Sequence, residues 1–185
     1  MRISIGTRSL LFGAHYPPHI LMVAAAWKWL YGSWPTWREM IAICLHDVGY
    51  FGCKEMDGPD GTMHPELGAS IATRLLGQEY GNLIRGHSKG YSECFDPQLP
   101  LSKLYGADKL SRAFEPLWWY AWRCRLTGEI AQYRSVSHGC TPRKDSPNTS
   151  DREWFRIIRM RMVRGGCDET IKMEAPNGLG EHRGR

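Results

Sequence analysis

The stretch "TWREMIAICLHDVGY", residues 36–50, decides how this chain is read. It opens on a capping box, T-x-x-E, in which Thr36 and Glu39 each close on the other's backbone N–H. Trp37, Met40, Ile41, Cys44, Leu45 and Val48 then recur at helical spacing and make one apolar face. Gly49 stands where a helix often ends at a C′ residue. The helix predicted here carries His46 and Asp47 in its last turn, behind the apolar run "MIAICL". Burying an ionisable pair is costly unless it is paired, hydrogen-bonded or bound to a metal.

The segments on either side are also helical in pattern. In "HILMVAAAWKWLYG", His19, Met22, Val23, Ala26, Trp27 and Leu30 share a face. Apolar residues fill its other side too, which predicts a helix buried all round. Pro17 and Pro18 precede it and place His19 in its first turn. After the His-Asp pair, "YFGCKEMDGPDGTM" reads as a loop rich in Gly, Pro and Asp. His64 comes next, directly before Pro65, in the position of an N-cap. A helix over "PELGASIATRLL" stops at Gly77, and another over "QEYGNLIRGHS" carries His87 near its end. "GYSECFDPQLP" reads as a loop. "LSKLYGADKLSRAF" reads as a helix with Asp108 in its middle, and "LWWYAWRCRLTGEIAQY" as one with a wide aromatic face. A basic amphipathic helix, "DREWFRIIRMRMVR", packs Trp154, Ile157, Ile158 and Met162 inward, and a polar, Gly-rich tail follows. No strand pattern and no repeat interrupts this series. The expected fold class is all-α. One domain covers 1–163, with its motif core at about 15–115 and C-terminal helices at 117–163. A disordered tail over 164–185 completes the expected organisation.

Composition narrows the function classes. With 185 residues, 42% of them hydrophobic and 23% charged, the chain can bury a core without staples. Its six cysteines form no CxxC pair, which argues against a structural zinc cage and for reduced thiols in a cytoplasmic setting. The longest apolar run contains Lys28 and is too short to span a bilayer, so no membrane partner is expected. The net charge of +5 suits an anionic partner. Much of the excess lies in "RKDSPNTSDREWFRIIRMRMVR" near the C-terminus, where the arginines of the last helix are expected to be solvated, so nucleic acid is not the expected partner. Self-association is left open.

Six residues at five positions, each in or at the edge of a predicted helix, share one chemistry: His19, His46-Asp47, His64, His87 and Asp108. Imidazole and carboxylate suit Mn, Fe, Co, Ni or Zn. A lone buried histidine is more often a hydrogen-bonded core residue than a ligand, and an "HD" dipeptide alone says little. The ordered set is more specific.

In that order, ending in Asp108 within "ADKL", the chain resembles the HD superfamily of metal-dependent phosphohydrolases over roughly residues 15–115. His64 and His87 are similar to the added ligands of its two-metal members, among them the HD-GYP cyclic dinucleotide phosphodiesterases and the YqeK-type diadenosine tetraphosphate hydrolases. Tyr50 stands where HD-GYP proteins carry Lys in HD-x-G-K, and where a nucleotidase branch carries Glu. "GYSECF" also lacks the GYP form. The resemblance implies an HD-type helical bundle. It implies one divalent transition metal held by His19, His46, Asp47 and Asp108, and a second bridged by Asp47 to His64 and His87. It implies hydrolysis of a phosphodiester or phosphoanhydride in a nucleotide by a metal-bound hydroxide. The lean is towards a cyclic mono-, di- or oligonucleotide, with a nucleoside triphosphate or dinucleoside polyphosphate close behind. A di-iron oxygenase of the same superfamily and a non-catalytic, metal-stabilised RNA-binding module stay open as rivals.

Phosphate charge beyond the metals calls for cations. Arg85 and Lys89 flank His87, and Lys109 follows Asp108. With Asp47 these are the candidate catalytic residues, each cation having a solvated surface charge as its alternative. His15 and Lys54 are candidates for substrate binding. His15 could also replace His19 as ligand, protonate a leaving group, or merely cap a helix. Trp118, Trp119, Tyr120 and Trp122 could stack a base, but at helical spacing they read first as core or interface.

Overall fold

A computed structural model describes residues 17–51, 53, 59–127 and 150, and, further on, 152, 153, 155–157, 159, 160, 163 and 164. Among these the fold is all-α, with no strand. In chain order the helices are α1 (Pro17–Tyr31), α2 (Trp37–Leu45), α3 (Pro59–Thr62), α4 (Pro65–Leu76), α5 (Gln78–Arg85), α6 (Lys89–Phe95), α7 (Lys103–Phe114) and α8 (Leu117–Thr127). A 3₁₀ turn, Val48–Tyr50, lies between α2 and α3. The described residues between 152 and 164 are helical as well.

Small residues on the inner faces let these helices approach closely. α1 packs on α7, α4 on α5, and α2 against both α4 and α5. The core between them joins Val23, Ala26 and Trp27 of α1 to Ala42 and Ile43 of α2, Ala69 and Ala72 of α4, and Ile84 of α5. Leu104, Ala107 and Leu110 of α7 close it. Alanine at so many facing positions trades side-chain volume for short interhelical distance. Candidate side chains in or beside five helices (α1, α2, α4, α5 and α7) can therefore meet.

The start of α2 is the capping box its sequence announces. Glu39 N donates to Thr36 Oγ1 at 3.3 Å, and Thr36 N donates to Glu39 Oε2 at 2.7 Å. Such a cap contributes about 1 kcal/mol. Positive φ occurs only at glycine among the described residues, at Gly32 after α1 (74°) and at Gly77 between α4 and α5 (108°).

Four expectations are corrected. α1 is not buried all round: Leu21 and Trp29 are 65% and 55% exposed, because α1 has the bundle on one side only. α2 ends at Leu45, so His46 is its C-cap and Asp47 leads into the 3₁₀ turn rather than lying in the helix. Gly49 lies within that turn and does not take the positive φ of a C′ residue. "GYSECF" lies within α6 instead of forming a loop, started by Ser88, whose Oγ accepts from Tyr91 N at 3.3 Å. That cap is a single residue without a Glu three positions on, so the sequence signal is thin.

The C-terminal helix rests on the bundle through Phe155, which is buried and stacks on Tyr120 at 4.0 Å between centroids. Val163 also packs against the core. Of the four residues expected to face inward there, Ile157 is described and half-buried, and the others lie outside the described residues. No helix among the described residues is long and apolar enough to cross a membrane.

Candidate metal centre

The structure brings together all six ligand candidates. His19, His46, Asp47, His64 and His87 are each no more than 8% exposed. The Asp108 side chain is 17% exposed. His19 lies in the first turn of α1 and faces Asp108 of α7, Nε2 to Oδ1 being 3.3 Å. His46 and Asp47 arrive from the end of α2, with His46 Nε2 3.2 Å from Asp47 Oδ2. His64 stands just before α4 and His87 just after α5. Their Nε2 atoms lie 3.4 and 3.3 Å from Asp47 Oδ1.

Two groups of potential ligand atoms result, each gathered within 4.8 Å. One is His19, His46, Asp47 and Asp108, and the other is Asp47, His64 and His87. Asp47 belongs to both. Its Oδ2 faces His19 and His46, and its Oδ1 faces His64 and His87.

Backbone carbonyls set the histidine tautomers. The Nδ1 atoms of His46, His64 and His87 donate to Ile43 O (2.6 Å), Gly61 O (2.6 Å) and Ile84 O (2.5 Å), in each case three residues back. A carbonyl can only accept, so Nδ1 carries the proton and, in the neutral ring, Nε2 presents a lone pair. His64 is thus in the N-cap position without capping, because its ring is turned away from the helix amides.

The Nε2 atoms of His64 and His87 stand 2.9 Å apart. Two lone pairs at that distance repel unless a proton or a metal ion lies against them. Burial, aided by the neighbouring His64 and His46, holds the His87 pKa down to about 4 against the pull of Asp47. A proton is therefore disfavoured on His87, and a divalent cation suits both lone pairs at once. His19 Nε2 is likewise buried and makes no hydrogen bond, although two carboxylates lie near it. Imidazole nitrogens and carboxylate oxygens gathered in this way could hold a metal ion. Burial also opposes protonation of His46, but the charges of Asp47 and Asp108 raise its pKa well above the ordinary histidine value. Those carboxyls are held well below the ordinary carboxylate range, Asp47 by His46 and Asp108 by His19 and His46, against their burial. A metal ion and a proton would compete for His46.

Two glycines make the convergence possible. A Cβ on Gly49 would overlap the backbone carbonyl of His64, and one on Gly68 would overlap the carbonyl of Leu45. The 3₁₀ turn and α2 therefore lie directly on the start of α4, and His64 reaches Asp47. Gly86 has a related role after α5: its carbonyl accepts from Ser102 N at 2.9 Å, anchoring the turn that carries His87.

The cationic candidates sit differently. Arg85 is engaged by Glu66, donating from Nε to Oε2 at 2.9 Å and from Nη2 to Oε1 at 2.7 Å. Tyr91 Oη donates to Glu66 Oε2 at 2.7 Å, and Ser70 Oγ donates to Oε1 at 3.1 Å. The fork that Arg85 could offer a phosphate is thus turned on a carboxylate. Lys89 is exposed and lies 3.6 Å from Glu93, one turn along α6. Lys109 Nζ lies 3.8 Å from Asp108 Oδ2 and is half exposed, so it stands at the rim of the first group. His15 and Lys54 lie outside the described residues. Tyr120 is core, whereas Trp118 and Trp122 are exposed.

Glu66 is the residue the sequence reading passes over. Two positions from His64 and paired to an arginine two positions before His87, it ties α4, α5 and α6 together. Nothing periodic announces it, because the contact joins residues 19 apart. Hydrogen bonds from Arg85 lower its pKa from 4.5 to about 2. A depressed carboxyl stabilises the fold above its unfolded pKa and loses that contribution as pH falls through the folded value. The expected result is that Glu66→Gln lowers the melting temperature at pH 6, and that the difference from wild type shrinks between pH 4.5 and 2. The side chain is about one-third exposed, so the effect is screened and is expected at about 1 kcal/mol or less. Thermal melts of both proteins across that range measure it.

Compared with protein-family models, curated proteins and solved structures, the chain gives no match.

Proposed function

We propose that this chain is a metal-dependent phosphohydrolase built on an HD-type helical bundle, acting on a phosphodiester or phosphoanhydride bond of a nucleotide. The observation that carries the reading is the position of Asp47 between two groups of imidazole ligands, one carboxylate oxygen towards each. It supports a pair of ions sharing one carboxylate, in the ligand order of the HD superfamily.

His19, His46, Asp47 and Asp108 would hold one ion and Asp47, His64 and His87 the other, and when bound they would supply an acidified water and positive charge for the attacking and leaving oxygens of an in-line displacement. The chain's own residues do the rest. Four neutral imidazoles and two carboxylates give the ligand set a charge of −2, from His19, His46, His64, His87, Asp47 and Asp108. Two divalent ions would more than offset it, leaving net positive charge for an anionic phosphate. The Nδ1–carbonyl bonds hold three imidazoles in the ligating tautomer without cost at the moment of reaction. Burial of His19, His46, Asp47, His64 and His87 keeps bulk water from these groups. Lys109, at the rim beside Asp108, is the cation this reading assigns to a phosphate oxygen. Arg85 contributes by holding Glu66, and through it the spacing of α4 and α5.

The test is metal analysis of the purified protein, followed by a screen of cyclic and linear nucleotides with Mn²⁺, Fe²⁺, Co²⁺ and Ni²⁺. Bound transition metal and phosphate-releasing or ring-opening turnover, both lost on chelation and restored by metal, are expected. Oxygen-dependent turnover with bound iron and no phosphoester cleavage would move the assignment to a di-iron oxygenase. Absence of both metal and turnover overturns the proposal.

A further inference from the structure

Tyr50 lies over His64. Their ring centroids are 4.0 Å apart and their planes differ by 8°, so the two rings overlap in a stack. His64 meets its other aromatic neighbour, His87, edge-on at 79°. The phenol ring presents an electron-rich face, and stacking on it gains most when the partner is electron-poor or cationic. An imidazole becomes so when its lone pair is given to a metal ion. His64 is prepared for that: its Nδ1 is bound to Gly61 O and its Nε2 faces Asp47 and His87.

The chain delivers Tyr50 by the shortest route. Tyr50 N donates to Asp47 O at 3.0 Å, and Cys53 N donates to Tyr50 O at 3.1 Å, so the ring's backbone is tied on both sides. Gly49, between them, rests on the His64 backbone. One four-residue segment thus touches His64 three ways: by the Asp47 carboxylate, by the Gly49 main chain and by the Tyr50 ring.

We infer that Tyr50 is a positioning residue for the second metal group. Its ring holds His64 in the ligating orientation and stabilises the positive charge that His64 acquires on coordination. Ion affinity at Asp47, His64 and His87 therefore depends on an aromatic ring at position 50, and affinity at His19, His46, Asp47 and Asp108 does not. The inference rests on the two-ion reading above.

Titration of the metal-free full chain with Co²⁺ tests it. Ion number is read by metal analysis, affinity by calorimetry, and the coordination of each ion by its visible absorption. Wild type is expected to bind two ions. Tyr50→Phe, which keeps the ring, is expected to match it within about twofold, whereas Tyr50→Leu weakens the second ion roughly tenfold and leaves the first unchanged. Tyr50→Met repeats the comparison should Tyr50→Leu lose its helical circular dichroism. Equal second-ion affinity in the non-aromatic variants overturns the inference while the two-ion reading stands. So does equal weakening of both ions, or a loss in Tyr50→Phe as large as in Tyr50→Leu, which would assign the effect to general loosening or to the hydroxyl. A wild type that binds a single ion overturns the two-ion reading and the inference with it.

Discussion

Asp47→Asn is expected to abolish the second ion, weaken the first, and lower turnover on the order of 10³-fold or more, the scale of losing a principal electrostatic element of a site. The substitution keeps the shape of the side chain and removes its charge. In the wild type Oδ2 serves the His19 and His46 side and Oδ1 the His64 and His87 side, so no other residue is shared between the groups. An amide offers one neutral oxygen and one NH₂, and the NH₂ must face either ion with donors where a ligand is needed. His87→Ala and Asp108→Asn provide the comparison, because each belongs to a single group. His87→Ala should lose one ion and keep the other, and Asp108→Asn should do the converse, while Asp47→Asn affects both. Metal analysis of the three variants, with turnover measured at saturating metal, distinguishes these patterns. An Asp47→Asn protein with two ions and wild-type turnover would remove the bridging role and the proposed chemistry together.

The candidate ligands are legible in the sequence for a chemical reason. Buried His and Asp on apolar helices stand out against the base composition, and their order is informative before any coordinate is known. Helices with strong periodicity are legible too: α2 with its capping box, α4 between Pro65 and Gly77, and α7 around Asp108. What sequence leaves hidden is tertiary. The engagement of Arg85 by Glu66 joins α5 to α4 and has no local signature, so a cation beside His87 reads as a phosphate ligand when it is a strut. α6 is short and starts on one capping hydroxyl, with Gly90 in its first turn, and its pattern is too brief to count. The stack of Tyr50 on His64 depends on a turn of three residues whose direction no periodicity predicts. His64 before Pro65 has the position of an N-cap, and only the ring's bond to Gly61 O separates a candidate ligand from a cap.

Gly49→Ala is expected to destabilise the fold by about 2 kcal/mol or more and to remove the second ion, because the added methyl has no space to enter. Its Cβ would fall on the carbonyl of His64, a backbone group that cannot rotate aside as a side-chain tip would. Either the 3₁₀ turn moves away from α4, or the residues before Pro65 move away from the turn. Both displacements separate Asp47 Oδ1 from His64 Nε2, now 3.4 Å apart, and lift Tyr50 from the His64 ring. The first group, whose other ligands come from α1, α2 and α7, should keep its ion. Gly68→Ala strikes the same interface through the Leu45 carbonyl and should act in the same direction. Gly77→Ala is the control. Its φ of 108° makes a side chain strained, yet nothing lies within 4 Å of the added methyl. It should cost stability, about 1–3 kcal/mol, without changing ion number. Denaturant melts give the stabilities and metal analysis gives the ions. Loss of the second ion in Gly49→Ala but not in Gly77→Ala, at comparable loss of stability, would tie that ion to close backbone approach rather than to stability in general. The presence of two ions in Gly49→Ala would show that His64 does not need the turn against its backbone to reach the metal.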